Sequence, residues 1–173
     1  MQLYQRLLAA SFERLPPALR RFHAQPGGTA TFVLEVTHEP GLLHRAAAAL
    51  MRLPAASPRA PGRLVVTVRG EREVWERTFA DTKLTTVQHI DGGRLVEVAG
   101  PLSFVFEVTA DERGMQYVPV ACRCLGIPLP RAFAPRISAA VRGEGSGWDL
   151  RVSIAMPGLG RLAAYGGPVT PGP

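Results

Sequence analysis

RLVVTVRGEREVWERTFADTKLTTVQHIDGGRLVEVAGPLSFVFEV, residues 63–108, decides the fold. Leu64, Val66 and Val68 alternate with Arg63, Val65, Thr67 and Arg69, and Leu102, Phe104, Phe106 and Val108 alternate with Ser103, Val105, Glu107 and Thr109. One face of each segment is apolar and the other mostly wet, which is the pattern of a half-buried antiparallel sheet. Asp91-Gly92-Gly93, Asp111-Glu112-Arg113-Gly114 and Gly145-Ser146-Gly147 supply the positive backbone angles of hairpin reversals. Strands joined this tightly pair with their sequence neighbours.

The pattern runs from residue 62 to residue 166, with strands expected near 63–69, 72–79, 82–90, 93–98, 101–109, 114–124, 136–143, 147–156 and 160–165. Upstream, Thr29 to Thr37 reads as a first strand with Phe32, Leu34 and Val36 inward. About ten strands in a meander leave two bare edges unless the sheet curls and closes, so a barrel or curved half-barrel is expected. Its inward set includes Trp75, Phe79, Phe104, Phe106, Trp148, Leu150, Val152, Ile154 and Met156. These side chains either line a ligand cavity or pack on the N-terminal helix. The first eight are the candidate ligand-binding residues. The segment Leu125 to Pro135, with Pro128, Pro130 and Pro135, is excluded from a central strand and should cross an open end or edge.

Two helical segments accompany the sheet. Leu3, Tyr4, Leu7, Leu8, Phe12 and Leu15 recur at three- and four-residue steps, predicting an amphipathic helix over 2–15 that Pro16-Pro17 ends. Pro17 suits the first turn of a second short helix, Ala18 to His23. The alanine-rich stretch Leu42 to Leu53 predicts a further helix after the first strand, and the proline-rich Pro54 to Gly62 reads as a lead-in to the meander. The class is mainly β within α+β, with one domain over 1–165 (helical over 2–23, sheet over 29–165) and a disordered tail at 166–173.

The chain has 173 residues, a formal charge of +6 and two cysteines. That length buries a sizeable core without a staple. Cys122 and Cys124 would share a strand face at a separation of about 6.5–7 Å, at or beyond the reach of a disulfide, and a reduced, cytoplasmic protein is expected. Arg6 and Glu13 interrupt the first apolar stripe, unlike a secretory signal, and no charge-free run is long enough to span a membrane as a helix. The basic residues are nearly all arginine and are spread over every element. A solvated basic surface explains them, and nucleic acid is not the expected partner.

No catalytic cluster stands out. His38, Glu39 and His44 are spaced too widely for a helical zinc pair, and Pro40-Gly41 breaks any helix between them. His23 reads as a helix-end cation and His89 as a structural residue. Cys122 and Cys124 lack the further ligands a structural zinc needs. Gly158-Leu159-Gly160-Arg161-Leu162-Ala163 follows a strand, as a dinucleotide fingerprint would, but no helix can follow it, so these glycines read as a turn. Asp81, Asp91, Asp111 and Glu112 are explained by turns. Neither a catalytic residue, a metal nor a cofactor is therefore assigned. Arg63, Arg69, Arg77, Arg142 and Arg151 are placed on polar strand faces, opposite Glu73, Glu76, Glu107 or Asp149, as cross-strand ion pairs. Any of them that turned inward at a cavity mouth would clamp a carboxylate or phosphate.

YQRLLAASFERLPPALRRFH at 4–23, GPLSFVFEV at 100–108 and LGIPLPRAFAPRI at 125–137 resemble a bacterial family known as domain of unknown function 4166. That resemblance implies a domain occurring alone or behind a dinucleotide-binding, reductase-like domain, hence a reductase-like partner. It implies no catalytic residue. The helix after the first strand also resembles the plan of lipocalin and fatty-acid-binding barrels. The leading expectation is a non-catalytic barrel that binds a small apolar, lipid-like molecule. The alternatives are an interaction or oligomerisation module and an enzyme using Glu39 and His89 brought together by folding.

Overall fold

In the computed structural model, which describes residues 1–51, 53–80 and 82–173, the chain forms a closed antiparallel barrel. The strands are β1 (Gly28–His38), β2 (Ser57–Arg69), β3 (Arg72–Phe79), β4 (Lys83–Asp91), β5 (Arg94–Ala99), β6 (Leu102–Asp111), β7 (Gly114–Cys124), β8 (Ile127–Pro128), β9 (Arg136–Glu144), β10 (Gly147–Met156) and β11 (Gly160–Pro171). From β1 to β7 each strand pairs with the next. β9 then pairs with β7, β10 with β9 and β11 with β10, and β11 returns to β1. Ring closure removes the sheet edges that a meander would otherwise expose. The two-residue β8 hangs on the free side of β7, where the prolines of Leu125 to Pro135 confine it.

The hairpins β2–β3, β4–β5, β6–β7 and β9–β10 gather at one end, the plug end. The helices α1 (Leu3–Leu8) and α2 (Pro17–Ala24) enter the barrel there, joined by a 3-10 turn, Ala9–Arg14. The single helix expected over 2–15 is broken, because Ala9 has φ 47° and cannot continue an α-helix. The break lets the apolar stripe turn with the barrel wall, so that Leu3, Tyr4, Leu8, Phe12, Leu15, Leu19 and Phe22 share one core with Trp75, Phe106 and Trp148. Gly143 of β9 provides the seat, since a Cβ there would collide with the ring of Pro16. Gly143→Ala is expected to cost about 1–3 kcal/mol by overpacking. Chemical denaturation checks this, and an unchanged midpoint would mean that the helices do not rest on β9.

At the other end α3 (Leu42–Leu50) follows β1, and the hairpins β3–β4, β5–β6 and β10–β11 turn. Ala47 and Met51 pack on Val152, Ile154 and Leu162 in a second, smaller cluster. Met51 and Leu53 still bond back to Ala47 and Ala48 through their backbone N–H groups. Residue 52 of the expected Leu42 to Leu53 helix lies outside the described residues.

Two sequence expectations are corrected. The segment Pro54 to Gly62 is not merely a lead-in, because β2 begins at Ser57 and pairs with β1 at Ser57, Ala60 and Pro61, with Pro58 in the irregularity between them. On its other side β2 pairs with β3 only from Gly62 onward, so these prolines sit where one flank of the strand is unpaired. The tail is not disordered over 166–171 either. β11 continues to Pro171, with Ala30 opposite Pro171 and Trp148 opposite Val169. Pro168 is tolerated because pairing to β1 lapses between Phe32 and Glu35.

Candidate functional site

All eight candidate ligand-binding residues face the lumen, as their strand parity requires. Trp75 and Trp148 pack on Phe22 of the plug, at ring separations of 6.4 and 5.0 Å. Phe79 meets Phe32 at 5.1 Å, and Phe104 lies beside Phe106. Leu150, Val152 and Ile154 face the α3 side. The plug thus occupies the wall that Trp75, Phe106 and Trp148 were expected to offer a ligand. Towards α3 the wall is less filled: Leu84, Ala99, Leu102, Ile137 and Tyr165 face inward yet are only half-buried.

The lumen also carries a polar seam. Arg77 lies two residues from both Trp75 and Phe79 and pairs across β4 with Leu84, so it points inward. Its placement on a polar outer face is corrected by this register. Arg77 donates to Thr86 Oγ1 at 3.0 Å and to Glu97 Oε1 at 3.4 Å, and Thr86 donates to the same Glu97 oxygen at 2.6 Å. The guanidinium also lies 5.2 Å from the centre of the Trp75 ring, an attractive cation–π geometry. The two charged side chains are 18% and 19% exposed, so they are sheltered and still reachable. Tyr165, across the barrel, feels both charges, while burial pushes its hydroxyl pKa up.

Deeper in, the seam continues. Tyr117 donates its O–H to the Tyr4 hydroxyl at 3.1 Å, and Tyr4 donates to Gln88 Oε1 at 2.9 Å. Burial holds both tyrosines well above their ordinary pKa. Trp75 Nε1 donates to Glu73 Oε2 at 3.0 Å, and burial raises the Glu73 carboxyl. Parity was the available signal for this seam. Glu73, Thr86, Gln88 and Glu97 each stand in step with an inward apolar residue, whereas Glu73 reads in the sequence as an outer-face partner for arginine.

The outer wall has its own concavity, a trough of about 750 Å³ across β7, β9, β10, β11 and β1. Small side chains, Ser138, Ala140, Ser153 and Ala164, line it, and Arg151, Asp149 and Glu35 flank it. A twisted barrel is waisted, so its outer surface is concave along one diagonal.

The remaining sequence candidates disperse. Glu39 binds Arg161 through two donors, at 2.8 and 2.6 Å. It ends β1 while His89 lies in β4, with β2 and β3 between them, so the pair suggested for catalysis is not assembled. His44 reaches the carbonyl of Leu159 at 3.1 Å, and among the described residues no group of three or more His, Cys, Asp or Glu could hold a metal. His23 is not a solvated helix-end cation but is buried against Tyr4, Phe22 and Trp75. Cys122 and Cys124 are free thiols, and burial raises the Cys122 pKa. Asp111 accepts from the backbone of Arg113 and Gly114 in its turn, and Gly158 and Gly160 shape the β10–β11 turn. Asp81 lies outside the described residues. Arg94–Glu107 is a cross-strand ion pair on the outer wall, whereas Arg151 pairs with Asp149 two residues before it in β10, along the strand instead of across it as expected. Among the described residues no helix is long and apolar enough to cross a membrane.

No curated protein and no solved structure matches the chain. A family model does, over residues 15–168: a domain of unknown function, DUF4166.

Proposed function

The chain belongs to the DUF4166 family, a domain of unknown function, and from the barrel itself we propose that it binds a small amphiphile in the α3 half of the lumen. One observation carries this reading. Arg77 stands inside an otherwise largely apolar wall and is sheltered but reachable. Apolar cavities with a few convergent polar groups are the usual form of small-molecule sites. Leu150, Val152, Ile154, Phe79 and Phe104 would receive the apolar body. Arg77 would receive a carboxylate or phosphate, for which its planar fork is suited. Glu97 holds that fork in the absence of ligand and would yield it to a competing anion. Trp75, Phe106 and Trp148 would support the plug rather than touch the ligand.

Two variants test the reading with anilinonaphthalene sulfonate, an anionic aromatic probe followed by fluorescence and by native mass spectrometry. Wild type is expected to take it up saturably at one site, and Arg77→Met to bind about tenfold more weakly, equivalent to roughly 1.4 kcal/mol. Glu97→Gln is expected to bind more tightly, because it removes the carboxylate that competes for the guanidinium. A purely structural ion pair would lose in both variants. Absence of saturable uptake by folded wild type would overturn the reading.

The outer trough supports a second reading, a docking surface for a reductase-like protein. Its signature would be a complex that Ser153→Arg abolishes while probe uptake in the lumen is unchanged.

A further inference from the structure

The α3 end of the barrel exposes Leu42 and Leu43 at the start of α3, and Leu125, Ile127 and Phe133 on the crossing between β7 and β9. Leu42 is 76% and Phe133 72% exposed. Two segments far apart in sequence thus present large apolar side chains at one end of the barrel, where scattered single exposures would be ordinary. Leu125 is held out by a tight turn in which it adopts φ 51°, a conformation uncommon for a residue other than glycine.

Among the described residues the exposed charge around them is mostly basic. Arg45, Arg59, Arg131 and Arg136 are exposed at the same end and make no ion pair among the described residues. Glu39, which lies there too, is held by Arg161. The plug end differs, because Glu13, Glu71, Asp111, Glu112 and Glu144 intermix there with its arginines. Large apolar side chains that can enter an acyl layer, ringed by arginines that can meet phosphates, form the pattern of interfacial binding.

We propose that the α3 end docks on an anionic lipid surface, with Leu42, Leu43, Ile127 and Phe133 entering the interface and the four arginines on the headgroups. The inference stands whether or not the lumen takes a ligand. Each arginine near such a surface contributes roughly fivefold to partitioning, and that share weakens with salt.

The test is flotation of the purified protein with vesicles of phosphatidylcholine alone and of phosphatidylcholine containing phosphatidylglycerol. Binding is expected to the anionic vesicles only, reduced severalfold by added salt. The double variant Leu43→Ser/Phe133→Ser and the double variant Arg131→Glu/Arg136→Glu should each lower it by about tenfold or more. These side chains are exposed, so circular dichroism and melting should match wild type. Arg113→Glu/Arg142→Glu makes the same charge change at the plug end and should leave binding nearly intact. Equal loss in that control would reduce the effect to net charge and overturn the proposal. So would failure to float with anionic vesicles, or a concentration-dependent dimer that Phe133→Ser abolishes, which would assign the patch to a second copy.

Discussion

Tyr4→Ala is expected to lower the unfolding free energy by about 3–5 kcal/mol, the range for emptying a large aromatic site in a packed core. The ring is 1% exposed and lies 4.0 Å from His23 and 6.3 Å from Trp75. Its hydroxyl ties Gln88 to Tyr117. Alanine would leave a void between plug and wall and strand the buried Gln88 carbonyl, and an unsatisfied buried acceptor adds its own penalty. Tyr4→Phe keeps the ring and should cost only about 1–2 kcal/mol. Domains of this size are stable by roughly 5–15 kcal/mol, so the alanine variant should lie near the edge of folding. Urea unfolding of the three proteins gives the answer. An alanine variant within about 1 kcal/mol of wild type would mean that α1 does not hold the barrel.

Acidification should produce the second large effect, through His23. Burial among aromatic rings, with desolvation as the cause, lowers its pKa from 6.5 to about 3. Between those values the unfolded chain binds a proton that the folded chain refuses. Stability is therefore complete above 6.5 and is lost as pH falls toward 3, by roughly 2 kcal/mol at pH 5 and 4–5 kcal/mol near pH 3. Glu73 acts the other way. Its raised carboxyl takes up a proton in the folded state first, so it contributes stability below its ordinary pKa that is lost as pH rises through the raised value. The difference between wild type and His23→Leu isolates the histidine. Denaturation midpoints at pH 7 and pH 5 should drop for wild type and change by about 2 kcal/mol less for the variant. Parallel drops in the two proteins would remove His23 as the cause.

What the sequence discloses here follows from the range of the forces involved. Hairpins are local, so turn residues such as Asp91-Gly92-Gly93 and alternation in β3, β6 and β10 were enough to read a curled antiparallel sheet. β11 was cut short because Gly166, Gly167 and Pro168 discourage a strand locally, whereas its pairing with β1 joins residues 125 to 141 apart in sequence, which propensity does not register. The inward residues were legible by parity, but their occupant was not: whether Trp148 meets a ligand or Phe22 is a matter of tertiary packing. In the sequence Arg77 reads first as an outer-face residue, with an inward turn as the alternative, for a related reason. Polarity argued for the outer face and parity for the inner one, and burial with Thr86 and Glu97 reconciles the two.

The placement of β11 between β1 and β10 bears on how the chain is made. Of the eleven strands, β11 leaves the ribosome last, yet it bonds to β1, which leaves first. Until residues 160–171 emerge, the nascent sheet keeps two open margins, and the helices that fill its middle have walls but no finished ring around them. Strand pairing over such sequence distances is slow and leaves sticky intermediates in the interval. A chaperone that holds the growing chain would therefore be needed most in the last moments of translation, and premature termination before β11 would yield an insoluble remnant rather than a smaller barrel.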